Sequence, residues 1–140
     1  MESKNKTILV TASAKRLGKF IATDLIKKGW KVAIHYNKSK KLAEDTAEFL
    51  LKIGGQVSIH QADLTCNKDI EKLVNEIKAQ DSTWVGLINN AGYFHYDNGT
   101  NFKLKDFQNH MSVNFIAPTL LIQALAKCTM KMKKQKNSFQ

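Results

Sequence analysis

Four short β-branched runs, Thr7–Val10, Lys31–His35, Val57–His60 and Val85–Asn89, are each followed by a longer stretch. In the first three cases that stretch has helical spacing. Lys15–Lys28 reads as a helix stopped by Gly29. Ser39–Ile53 carries Leu42, Thr46, Phe49, Leu50 and Ile53 on one side and ends at Gly54-Gly55. Asn67–Gln80 places Ile70, Leu73, Val74 and Ile77 at spacings of three and four. After the fourth run comes a loop rich in Tyr, Asn, Asp and Gly, from Ala91 to about Lys103. A last long helix then starts near Lys105 and enters a lysine-rich tail. Strands alternating with helices through short loops demand parallel pairing and right-handed crossovers. The expected fold is α/β, a doubly wound parallel sheet between two helical layers, with strand one central and strand four across the switch point.

At 140 residues, 43% of them apolar, the chain fits one domain with a real core. Four strands are few for such a sheet, which reads as incomplete at its C-terminal side, with strand four an apolar edge. No uninterrupted apolar run approaches the ~20 residues of a bilayer span, and the first residues lack a secretory signal's apolar core. Cys66 and Cys128 have no metal or redox spacing, which points to reduced thiols in the cytoplasm. The net charge of +10 is uneven: residues 127–140 hold five lysines and no acid. That basic tail reads as a solvated, frayed end, the alternative being a surface for nucleic acid or anionic lipid. Neither partner has a strong signal elsewhere.

The turn after strand one, Thr11-Ala12-Ser13-Ala14-Lys15-Arg16-Leu17-Gly18, opens a helix. A helix N-terminus behind a strand is the layout that receives a pyrophosphate. Arg16, the chain's only arginine, carries a guanidinium fork suited to phosphate. Strand two ends in His35-Tyr36-Asn37-Lys38-Ser39 with no acid for a ribose 2′-hydroxyl, which suits a 2′-phosphate; Ser39 also stands where it can cap the next helix. Asp63-Leu64, after strand three, reads either as an acceptor for an exocyclic amine or as helix-entry capping. Asn89-Asn90-Ala91-Gly92 offers amides that can stitch neighbouring loops, although Asn and Gly also suit a plain turn. Pro118 has no N–H, so a helix through it frees the carbonyl of Asn114, with a simple kink as the other reading.

Taken together, Thr11–Gly18, His35–Ser39, Asp63-Leu64, Asn89–Gly92 and Val113–Pro118 resemble the first half of the classical short-chain dehydrogenase/reductase family. The Lys15-Arg16-Leu17-Gly18 turn is similar to that of its pteridine reductase-like branch. The resemblance implies a Rossmann-like domain over residues 1–140, NADP(H) as cofactor, and hydride transfer to a carbonyl or pterin-type substrate. It implies cofactor contacts from Ser13, Arg16, Leu17, His35, Tyr36, Asn37, Lys38, Ser39, Asp63, Leu64, Asn90 and Ala91. It makes Asn114 a catalytic relay position that holds a water through its carbonyl. It also implies a homo-oligomer for a full-length protein.

Two departures stand out. Ala12 replaces a glycine that the family uses in a left-handed conformation, at a cost of about 1–2 kcal/mol. The family's Tyr-x-x-x-Lys pair is missing: only Tyr36 and Lys40 show the spacing, and they follow strand two, at the adenosine end. The expectation is therefore an oxidoreductase half-domain without turnover of its own, the alternatives being a non-catalytic remnant with weak nucleotide binding or an interaction module using the basic tail. His95, Tyr96 and Asp97 read as surface polar groups.

Overall fold

The computed structural model describes residues 5–80 and 83–137. Strands β1 (Lys6–Val10), β2 (Lys31–Tyr36), β3 (Val57–Gln61) and β4 (Thr83–Ile88) alternate with helices α1 (Arg16–Lys27), α2 (Lys40–Lys52) and α3 (Asn67–Lys78). They form one sheet in the order β3-β2-β1-β4, every pair parallel. Strand β1 is central and β4 lies across the switch point, as the alternation demanded. One register shift occurs between Thr7 and Ile8, where β4 inserts Val85 as a bulge.

Alternation along the strands sends side chains to two cores. Leu9 and Ala33 face one layer, with Leu73 and Ile77 of α3 and with Trp84. Val10, Val32 and Ile34 face the other, with Ala22 and Ile26 of α1 and Ala43 and Leu50 of α2. Helices α1 and α2 end alike. Gly29 (φ 84°) and Gly54 (φ 86°) take the left-handed position, and the next N–H reaches back to a carbonyl of the last turn, Trp30 to Leu25 at 3.1 Å and Gly55 to Leu50 at 2.9 Å.

Three expectations change. The buried face of α2 is Ala43, Thr46, Ala47 and Leu50, whereas Leu42, Phe49 and Ile53 stay 43%, 40% and 41% exposed. Two alanines let the helix approach closely, and Thr46 Oγ1 donates to Ala14 O at 2.8 Å, rotating that face toward the β1–α1 turn. The last helix is interrupted: α4 (Leu104–Met111) passes into a π-helical turn (Ser112–Ile116) and then α5 (Ala117–Asn137). The tail is not frayed through Asn137; it forms the last turns of α5, while Phe139 lies outside the described residues. The helical run Leu104–Lys134 contains an 18-residue window of mean hydropathy 1.3, long and apolar enough to cross a membrane by length and composition. Counting uninterrupted apolar runs misses this window. Its Ala117 and Leu121 are fully buried in the core beside the sheet.

Candidate functional site

The strand ends of β1, β2 and β4 meet around the Thr11–Gly18 turn. Thr11 Oγ1 donates to Ile88 O (3.4 Å) and accepts the N–H groups of Asn90 and Ala91, both at 2.9 Å. Asn90 Nδ2 donates to Thr11 O (3.1 Å) and Ala12 O (3.2 Å). The Asn-Asn-Ala-Gly segment is thus a clasp between the first and fourth strand ends, and its side-chain amide is spent on the turn. Gly18 sits inside this clasp: a Cβ there would stand 2.7 Å from both Asn90 Nδ2 and Ser13 Cα, and closer still to Ala12 O. Only glycine fits.

The turn itself is strained. Ala12 and Arg16 are the two described non-glycine residues with positive φ, 50° and 52°. Both are positions where the family turn has glycine. No side chain caps the N-terminus of α1, so its first-turn N–H groups face outward without a capping partner. Arg16 and Leu17 are exposed beside them.

His35 is placed differently from the anion-binding expectation. It is 2% exposed, with Nδ1 accepting the Ala12 N–H and Nε2 facing Ala62 O, each at 3.0 Å. Those partners define a neutral ring protonated on Nε2, a crossbar from the strained turn to the end of β3. Burial pushes its pKa below the usual imidazole value; the Ala62 carbonyl opposes this and nearby His60 adds to it. Ser13 is likewise committed: it is fully buried, donates from Oγ to Val10 O (2.7 Å) and accepts the His35 N–H (3.2 Å). Neither side chain is free to hold phosphate. Tyr36 packs partly into the α1–α2 core. Ser39 is the N-cap of α2 but makes no capping hydrogen bond.

A cavity of about 460 Å³ opens beside the turn, lined by Ala12, His35, Asn37, Lys38, Asp63, Leu64, Thr65, Ala91, Gly92, Tyr93, Lys105, Asn109 and Val113. Six of the expected contacts line it: His35, whose ring nitrogens are already committed, and Asn37, Lys38, Asp63, Leu64 and Ala91. Asp63 is held below the usual carboxylate range by the Thr65 N–H (2.9 Å) and hydroxyl (2.7 Å), helped by Lys38 and Lys105. It does not cap α3, whose N-cap Cys66 makes no side-chain capping bond; the Asp63 N–H itself donates to Asp69 Oδ2 at 2.8 Å, tying the loop to the first turn of the helix. Beside the cavity, Asn114, expected as a relay position, makes side-chain contacts that were not foreseen. Asn114 Oδ1 accepts the Tyr93 N–H and its Nδ2 donates to Tyr93 O, both at 2.8 Å, so its side chain clamps the loop after β4. Ala117 N–H bonds to Ser112 O, the i→i+5 link of the π turn that presents Asn114. The Tyr93 hydroxyl donates to Asp106 (3.3 Å), His110 Nδ1 bonds Asp106 O (2.7 Å), and His110 Nε2 accepts the His95 N–H (3.2 Å). Of this group the sequence had singled out Asn114 alone; the Asp106–His110 spacing, one helical turn apart, is the signal that could have pointed to the rest.

The family profile described as short chain dehydrogenase matches residues 6–138. The chain belongs to the short-chain dehydrogenase family. A short-chain dehydrogenase/reductase homolog, YusS of Bacillus subtilis, is 37% identical over 91 residues, covering 65% of this chain and 84% of YusS. The hydroxynaphthalene reductase arp2 of Aspergillus fumigatus is 33% identical, over 78% of this chain and 40% of its own. Among solved structures, the FolM alternative dihydrofolate reductase 1 of Brucella canis, complexed with NADP, has a TM-score of 0.83 at 32% identity, covering 90% of this chain and 50% of that one. A short chain dehydrogenase of Burkholderia cenocepacia in complex with NADP has a TM-score of 0.84 at 28% identity and is half covered, at 52%. This short-chain dehydrogenase chain thus spans about half the length of these solved relatives and 40% of arp2.

Proposed function

We propose that residues 1–140 are the NADP(H)-binding half of a reductase whose substrate is a carbonyl or pterin-type compound. Support comes from the cavity edge: β2 is followed by Asn37-Lys38 with no acid, and Lys38 lines the cavity beside Asp63. A 2′-phosphate is favoured where a ribose-binding acid is replaced by a cation. The residues fit the cofactor in a second way: Gly18 lets α1 pack closely against the turn and Asn90, and the uncapped first turn of α1 offers the N–H groups a pyrophosphate requires. Arg16 and Leu17 would border the pyrophosphate and Lys38, Asn37 and Ser39 the 2′-phosphate. Asp63 and Leu64 would border the adenine, and Asn90 and Ala91 the ribose. When bound, NADPH supplies the hydride. The chain's own task is to hold the dinucleotide extended across the strand ends, and Asn114 keeps the loop closed at the substrate end. The related proteins named FolM and arp2 support a pterin or aromatic carbonyl substrate. Within these 140 residues no Tyr-x-x-x-Lys follows the fourth strand, so the chain by itself binds without turnover. The expected setting is cytoplasmic, in keeping with two free thiols.

Isothermal titration of residues 1–140 with NADPH and NADH tests the reading. NADPH should bind roughly tenfold more tightly, a difference of about 1.4 kcal/mol, and Lys38→Glu should erase the preference. Arg16→Gly should weaken both nucleotides. Equal affinity for the two would overturn the NADP(H) assignment, and steady NADPH oxidation with a quinone, aldehyde or pterin would overturn the absence of turnover.

A further inference from the structure

On β3 a second chemical group runs from Ser58 near the strand start to His60, which pairs in register with His35. Ser58 and His60 lie two residues apart on β3, on the face toward α3. His60 Nε2 lies 2.8 Å from Ser58 Oγ, and its Nδ1 lies 2.9 Å from Glu76 Oε2 of α3. The carboxylate on Nδ1 fixes the proton there and leaves Nε2 to accept from the serine hydroxyl. A nucleophile bonded to a base that is oriented by a third group is the arrangement that activates a serine. His60 is 4% exposed, so the imidazole is held in place; Glu76 is 37% exposed and also meets Lys72 Nζ at 3.7 Å through its other oxygen.

Ser58 is reachable. It lines a cavity of about 260 Å³ with Thr7, Lys31, Gln56 and Gln80, at the starts of the strands, where a small polar molecule fits. A backbone donor is adjacent. Val32 N–H bonds to Gln56 O and Ala62 N–H to Tyr36 O, so by parallel alternation the even-numbered N–H groups of β3 turn to β2. The N–H of Ile59, directly after Ser58, therefore turns to the open edge of the sheet, away from β2.

We propose that Ser58 is an activated nucleophile and that this end of the domain carries a slow hydrolase activity toward small acyl esters, with His60 as base and Glu76 as positioning residue. In acylation the Ser58 Oγ–carbonyl bond forms as the ester C–O bond breaks. The hydroxyl proton passes to His60 Nε2 and on to the leaving alcohol. In deacylation water attacks the acyl-serine, His60 takes its proton and returns it to Ser58 Oγ, and the carboxylic acid leaves. Nothing is oxidised or reduced, and the step requires no nucleotide.

The test is incubation of residues 1–140 with p-nitrophenyl acetate, following p-nitrophenol release and mapping acetyl adducts by peptide mass spectrometry. The proposal expects acetyl-Ser58 in the unmodified protein, and loss of roughly tenfold or more of the protein-dependent rate in Ser58→Ala, the usual scale for removing such a group. His60→Gln should slow release and adduct formation together, and Glu76→Gln should slow them while shifting the pH profile, which a purely structural carboxylate would not do. NADPH binding should persist in all three variants, which separates this site from the dinucleotide site. Adducts confined to lysines, or an unchanged rate in Ser58→Ala, would overturn it; the adduct map on the unmodified protein decides even if a variant fails to fold.

Discussion

Ala12 and Arg16 carry the turn's strain, each in the left-handed region where a side chain costs about 1–2 kcal/mol. Glycine relieves that cost but gives back about 0.5–1 kcal/mol through the freer unfolded chain. Ala12→Gly should therefore raise the unfolding free energy by roughly 0.5–1 kcal/mol, read as a higher urea midpoint at unchanged slope. A lower midpoint would mean that the Ala12 methyl contributes packing that outweighs the strain. His35 sets a pH dependence. Its folded pKa lies below the ordinary 6.5, so the folded state resists a proton that the unfolded chain accepts. The contribution is complete above about pH 6.5 and is lost as pH falls below it, by at most about 1.4 kcal/mol per pH unit. Urea titrations from pH 7.5 to 5.5 should show that decline in the native chain and a flatter profile in His35→Gln. The role of His35 was not legible beforehand. A histidine at a strand end looks the same in sequence whether it faces a ligand or bridges two backbones, and its partners Ala12 and Ala62 become neighbours only through the sheet order. The Asn89–Gly92 amides were legible as a stitch between loops, whereas their partner Thr11 was not, because only the sheet order brings the ends of β1 and β4 together.

At the scale of elements, the strands, the first three helices and the glycine stops of α1 and α2 could be read from period and punctuation alone. The face of α2 could not, since ranking by apolar size chose Leu42 and Phe49 while packing chose the alanines that let the helix sit close to β2 and β3. Pro118 was read correctly as a break in the ladder, but the response is a π turn and not a bare kink. Proline leaves Asn114 O without its usual donor, and widening the turn from Ser112 to Ile116 aims the Asn114 side chain at the Tyr93 backbone. The two features are coupled, so Pro118→Ala should change both. The restored N–H should draw Ser112–Ile116 toward α geometry and raise stability by about 1–3 kcal/mol. Withdrawal of Asn114 should speed Tyr93 amide exchange by roughly tenfold, the loss of about 1.4 kcal/mol of local protection. Hydrogen exchange on the two proteins measures this; unchanged Tyr93 protection would uncouple the π turn from the loop.

On the scale of the whole molecule, the helices that follow β4 leave apolar surface uncovered. Strand β4 ends the sheet, and the helical run beyond it presents Phe107, Phe115, Ile116, Ile122 and Met130 at 47%, 61%, 41%, 56% and 62% exposure. An apolar stripe of this length beside an open strand edge is a surface that association buries. The net charge of +10 opposes that association, most strongly at low ionic strength, because five of the basic residues fall in the last turns of α5 and beyond. Two opposing terms give a specific salt response. Sedimentation velocity on residues 1–140 should show self-association that grows with protein concentration and with salt as repulsion is screened. Ile122→Lys places a charge in the exposed stripe without touching the buried Ala117 and Leu121, and should shift the population toward monomer at every salt concentration. Self-association that instead weakens with salt would assign it to charge pairing and not to the apolar stripe.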